Sequence, residues 1–133
     1  NFYKGKRGGF TLFELLVVIS IIGLIVAVGM VSYSQAQKRG RDARRKEDLK
    51  AWQKGLEQYY AENTAYIVGC DPGSDFMPGG VPADPKPGFN YAPSCTATSY
   101  CICAGLEISG IGNATNASCN YASGDYFCVS NLQ

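Results

Sequence analysis

The run GFTLFELLVVISIIGLIVAVGMV, residues 9–31, decides most of what this chain can become. From residue 15 to residue 31 the only polar side chain is Ser20, and no formal charge appears before Lys38. At about 1.5 Å rise per residue, a helix over 15–37 reaches roughly 35 Å, enough to cross a hydrocarbon core of about 30 Å. No small-residue A-x-A site closes the run, so it reads as an anchor and not as an ordinary secretory signal. One residue breaks the pattern. Glu14 is a carboxylate where insertion costs on the order of 2.5–3.5 kcal/mol, tolerable only with a partner.

The remaining chemistry is narrow. The 133 residues carry 12 Lys and Arg against 11 Asp and Glu, so no whole-chain field selects nucleic acid or an acidic substrate. Histidine is absent, which removes Ser–His and Cys–His catalysis and every His-containing metal site. No nucleophile–base pair is identifiable, so an enzyme is not expected, nor a cofactor or a bound metal. Six cysteines, Cys70, Cys95, Cys101, Cys103, Cys119 and Cys128, all lie in the second half. Beside a membrane-like N-terminal segment, this places the C-terminal half in an oxidising compartment with structural disulfides. C-x-x-C spacing is missing, and Cys101 and Cys103 share a face of a strand, where a direct bond between them is strained. Six cysteines allow fifteen pairings. The sequence does not choose among them, although the short 120–127 segment makes a Cys119–Cys128 clasp the first guess.

The helical signal continues beyond the apolar run. KRGRDARRKEDLKAWQKGLEQYYAEN has no proline and sets Leu49, Trp52, Leu56, Tyr59 and Tyr60 on one apolar stripe. Continuous from about Phe10 to Tyr60, that helix is roughly 75 Å long, with Gly23, Gly29, Gly40 and Gly55 as weak points. After Asn63 the chain turns rich in Pro and Gly and reads as ordered loop. YCICAGLEI alternates, with Tyr100, Ile102, Ala104 and Leu106 on one face and Cys101 and Cys103 on the other. GDYFCVS is a second strand candidate. The expected fold is α+β: a long N-terminal helix packed on a small antiparallel sheet whose loops are stapled by disulfides. A head of about 70 residues needs such staples.

A basic leader (Lys4, Lys6, Arg7) ending in Gly9, then Phe10, Thr11, Leu12 and Glu14, then an apolar helix running into an amphipathic one, resembles the type IV pilin superfamily. That superfamily includes type IV pilins and the pseudopilins of type II secretion. The resemblance implies a leader at 1–9, a long helix at 10–62 and a globular head at 63–133. It further implies a prepilin peptidase that cuts between Gly9 and Phe10 and methylates the new amine. Phe10 and Glu14 then become assembly residues, Glu14 pairing with the Phe10 amine of a neighbouring subunit. The partners implied are further copies of the chain in a helical filament, the inner-membrane assembly machinery, and the membrane before assembly. A pilin helix often carries a proline where this chain has Ala27-Val28-Gly29-Met30-Val31, so any local melting would fall to Gly29. Asn1 is not a methionine, so the leader is expected to be incomplete or trimmed.

The function implied is a major pilin, held in the cytoplasmic membrane as a precursor and exposed at the cell surface in a filament for adhesion or motility. The alternatives are a pseudopilin of a secretion piston and a monomeric single-span protein with a small binding ectodomain. The basic run at 38–50 is expected to be a solvated helix face, and nucleic acid is not expected as a partner. By the positive-inside rule that run favours the opposite topology, and the motif and cysteine placement are weighed above it. Asp71, Asp75, Asp84 and Asp125 read as turn residues before calcium ligands. Asn113-Ala-Thr115 and Asn116-Ala-Ser118 match the N-glycosylation pattern and indicate an exposed loop.

Overall fold

A computed structural model describes residues 8–133; Lys4, Lys6 and Arg7 of the leader lie outside them. One helix, α1, spans Leu12–Asn63 (52 residues) without interruption. Five strands follow: β1 (Ala92–Cys95), β2 (Tyr100–Gly105), β3 (Gly112–Ala114), β4 (Tyr121–Gly124) and β5 (Tyr126–Ser130). They form a single antiparallel sheet in the order β1-β2-β5-β3-β4. The α+β architecture is the expected one, including the two strands signalled by alternation. β1, β3 and β4 carried no such signal. β1 contains Pro93, tolerated because the strand is at the sheet edge, and β3 and β4 are too short to show a period.

The chain forms two compact units, Asn1–Ala36 and Gln37–Gln133. In the first, every described residue is exposed. Leu12–Asn63 is also the one helix among the described residues long and apolar enough to cross a membrane, with mean hydropathy 2.9 in its most apolar window.

The second unit is built on the helix stripe. Leu49, Trp52 and Leu56 are buried against Tyr100, Ile102, Ala104 and Val129 of the sheet, with Tyr60 half-buried beside them. Each fully buried side chain of this size contributes about 1.5–3 kcal/mol. The alternation in β2 sorts as its pattern dictates: Tyr100, Ile102 and Ala104 face the helix, while Cys103 packs with Ala114 and Cys128 on the other side. Trp52 closes the loop end by donating Nε1–H to the Cys70 carbonyl at 2.7 Å. Gly55 has a packing reason. A Cβ there would stand 2.6 Å from Met77 Cγ, so the bare backbone is what lets Met77 lie on the helix.

All six cysteines are bridged, as Cys70–Cys95, Cys101–Cys119 and Cys103–Cys128. The Cys119–Cys128 clasp expected from loop length is therefore wrong. Sheet register overrides it, because Cys103 and Cys128 stand directly opposite each other across β2 and β5, with Cα atoms 4.1 Å apart. The 120–127 segment is also no free loop, since β4 lies within it and pairs with β3. Peptide mapping of unreduced protein should recover these three pairs and no free thiol. Recovery of a Cys119–Cys128 peptide, or of two free thiols, would overturn the assignment.

Candidate functional site

The first site is the start of α1. Thr11 is its N-cap: Thr11 Oγ1 accepts the Glu14 backbone N–H at 3.2 Å. Glu14 Oε2 in turn accepts the Thr11 backbone N–H at 2.9 Å and the Thr11 hydroxyl at 2.8 Å. This is a reciprocal capping box of the T-x-x-E kind, which satisfies orphan amides at a helix start. The T-x-x-E spacing is legible in the sequence, where Glu14 otherwise reads as a costly carboxylate in an apolar run and, by resemblance, as an assembly residue. Gly9 has no neighbour within 4 Å of where a Cβ would stand, and Phe10 is 88% exposed. Gly9, Phe10 and Glu14 thus lie together on an open helix terminus, with the second Glu14 oxygen, Oε1, unpartnered among the described residues.

The second feature corrects an expectation. The basic run at 38–50 is not a uniformly solvated face, because Arg45 is fully buried. Its Nε and Nη2 donate to the two Asp84 oxygens at 2.7 and 2.8 Å, a bidentate fork. Nη1 donates to Asp42 at 2.7 Å and to Glu107 at 3.1 Å. Asp42 also accepts the backbone N–H groups of Glu107 and Ile108, and Arg41 donates to both Glu107 oxygens at 2.6 and 2.9 Å. Lys86 completes the set 3.5 Å from Glu107 and sits over the Phe89 ring. Three cations and three carboxylates neutralise one another. Two of the arginines that weighed against the expected topology are therefore committed to internal pairs, and fewer free cations follow the apolar run than the sequence count implies.

These contacts move the carboxyl groups. Hydrogen bonding from Arg41, with Arg45 behind it, holds Glu107 down to about 2 against the cost of burial. Burial pushes Asp84 up, but its bonds to Arg45 and the Lys86 amide outweigh that, and it lies below the ordinary carboxylate range. Both groups have folded values below their unfolded ones. Their contribution to stability is therefore present above about pH 4–5 and lost as pH falls towards 2. Thermal melting of the second unit should decline steeply over that window. An unchanged midpoint down to about pH 2 would contradict the assignment.

A second carboxylate, Glu57, ties the far end of α1 to the sheet. It accepts the hydroxyls of Tyr100 (2.7 Å) and Tyr66 (3.1 Å) and the backbone N–H of Leu132 (3.0 Å). Burial, then the Glu57 bond, pushes the Tyr66 hydroxyl up to about 12.

Asp71 accepts the Gly73 N–H two residues on, as a turn residue does. Asp84 accepts the Lys86 N–H in the same way but is chiefly the partner of Arg45, and Asp125 accepts the Gly110 N–H 15 residues away. Asn113 uses both ends of its amide on the Cys128 backbone. Asn116 accepts the Ser118 N–H in a turn of its own.

Residues 4–30 match the family model for the prokaryotic N-terminal methylation motif. The chain is 30% identical over 64 residues to the type IV major pilin protein PilA of Myxococcus xanthus, covering 48% of this chain and 29% of that protein. It is 33% identical over 97 residues to the type IV wide pilus major component PilA4 of Thermus thermophilus, covering 73% of this chain and 72% of that protein. The chain thus spans less than a third of the first relative and nearly three quarters of the second.

Proposed function

The chain belongs to the type IV pilin family, and from that premise we propose that it is a major pilin, a subunit that polymerises into an extracellular type IV pilus. Its role is structural and not catalytic. The division is a leader at 1–9, a helix at 10–62 and a head at 63–133. A prepilin peptidase removes the leader between Gly9 and Phe10 and methylates the Phe10 amine. Glu14 then pairs with the Phe10 amine of a neighbouring copy, and the inner-membrane assembly machinery draws the precursor out of the cytoplasmic membrane. The filament serves adhesion or motility at the cell surface.

The observation that carries this reading is the exposure of the apolar run of α1 among the described residues. Phe13 is 73% exposed, Leu24 71% and Val31 69%. Outside a bilayer these side chains need a new apolar environment, and like helices supply it. Head-to-tail association of identical chains generates an open filament where its rotation does not close into a ring. Filaments sheared from cells should contain this chain beginning at Phe10, with residues 15–31 buried in the filament core. Recovery only as a membrane-bound monomer would overturn the reading.

A further inference from the structure

Two of the three disulfides are stacked. The Cys101 and Cys103 sulfurs are 3.6 Å apart, and the Cys103 and Cys119 sulfurs 4.0 Å. Those three sulfurs, on two separate bridges, all lie within 4.8 Å of one another. Burial divides the pair. Cys103 and Cys128 are each 1% exposed, so a dissolved thiol cannot reach their bridge in the folded head. Cys101 and Cys119 are only half-buried. The Cys128 sulfur is bonded to Cys103 but stands outside the three-sulfur cluster. Cys103 therefore meets sulfurs of the outer bridge within contact distance, and an attack on it from that side would release Cys128.

We propose that the Cys101–Cys119 bridge is the port through which the buried Cys103–Cys128 bridge opens and closes, by thiol–disulfide exchange at the Cys103 sulfur. A small external thiolate attacks the outer bridge, forms a mixed disulfide with one of its cysteines and releases the other as a thiolate. A second thiolate resolves the mixed disulfide, so the external thiol is oxidised and the outer bridge reduced. The Cys119 thiolate then attacks Cys103: a Cys103–Cys119 bond forms, the Cys103–Cys128 bond breaks, and Cys128 departs as a thiolate that takes a proton from solvent. That last step is an internal exchange with no net oxidation. Attack from Cys101 would leave a bond between alternate residues of one strand, so Cys119 is the productive nucleophile. Run in reverse, the same exchange lets an oxidant that touches only the outer pair seal the inner one.

The test uses the full chain with single substitutions. Cys101→Ser leaves Cys119 without its partner, and Cys95→Ser leaves Cys70 without its own, outside the sulfur cluster. Each protein is held at about pH 8, near the ordinary thiol pKa of about 8.5, then quenched with acid, alkylated and mapped. In Cys101→Ser the label should shift from Cys119 to Cys128, with a Cys103–Cys119 peptide appearing; in Cys95→Ser it should stay on Cys70. Label confined to Cys119 would overturn the proposal. Wild-type protein exposed to a small monothiol gives a second measure that needs no variant. Cys103–Cys128 should open within a few-fold of the rate of Cys101–Cys119, through a trapped Cys103–Cys119 species. An inner bridge that persists long after the outer one is open would overturn it equally.

Discussion

Arg45→Ala should lower the stability of the second unit by about 3–5 kcal/mol, most of what so small a head has to lose. The Arg45 side chain is fully buried, and the carboxylates of Asp42 and Asp84 facing it are only 2% and 3% exposed. Removing the cation leaves both charges buried with no common partner. Asp42 would keep its two backbone donors, while Asp84 would keep only the Lys86 amide. Urea unfolding with the disulfides intact reads the loss directly. Arg45→Lys should recover little of it, because an ammonium cannot reproduce the bidentate fork on Asp84. Arg41→Ala should cost no more than about 1 kcal/mol, since its side chain is 28% exposed and water replaces part of the pair. A loss below about 1 kcal/mol for Arg45→Ala would mean the network relaxes or hydrates, contrary to its geometry.

Glu14→Ala should abolish or severely reduce filaments while leaving the second unit folded. The capping box makes the experiment more discriminating than a single substitution. Alanine removes both the cap on the Thr11 amide and the charge that the proposed pairing with a neighbour's amine requires. Glu14→Gln keeps the box, because glutamine serves at that position as glutamate does, but lacks the charge-assisted bond. Filament yield from Glu14→Gln should therefore stay far below wild type even though the helix start is intact. Thr11→Ala is the converse, removing the hydroxyl that holds the carboxylate and keeping the charge. Filament counts on sheared material, with total chain in the membrane as the control, decide the matter. Wild-type yield from Glu14→Gln would assign Glu14 to capping alone.

How far the sequence could be read depended on whether the relevant partners were near in the chain. The stripe of Leu49, Trp52 and Leu56 and the alternation of β2 are local patterns, and each buries the side its period indicates. The six cysteines announce an oxidised head by their placement, but the bridges join residues 18 and 25 apart, and only Cys103–Cys128 follows from strand register, β2 against β5. Arg45 was the hardest case. Its neighbour Asp42 lies one helical turn away, whereas Asp84 lies 39 residues distant in a loop with no periodicity, and Glu107 lies 62 residues distant, just past the end of β2 in the stretch whose alternation predicts strand. A charge run reads as solvated when its counter-charges cannot be located. Glu14 is the reverse: its partner Thr11 is three residues away, so the cap is a local pattern even though the same carboxylate lies in a membrane-length apolar run.

The three bridges all fall between residues 70 and 128, and none reaches α1. Disulfides therefore hold the head to itself, whereas packing, ion pairs and hydrogen bonds hold it to the helix. Consider a pull applied between α1 and the sheet. The weakest layer is the one joined by Leu49, Trp52, Leu56, Arg45 and Glu57, and it would peel before the sheet unravelled. Once peeled, the slack is the seven-residue step from Asn63 to Cys70, roughly 25 Å of contour at about 3.5 Å per residue. Beyond that the load passes through the Cys70–Cys95 bridge into β1, and only the step from Cys95 to Cys101, held by the pairing of β1 with β2, can still lengthen before sulfur–sulfur bonds close the rest. Such a subunit yields a short, bounded extension and then becomes stiff, and on release its folded cap is already assembled to dock again.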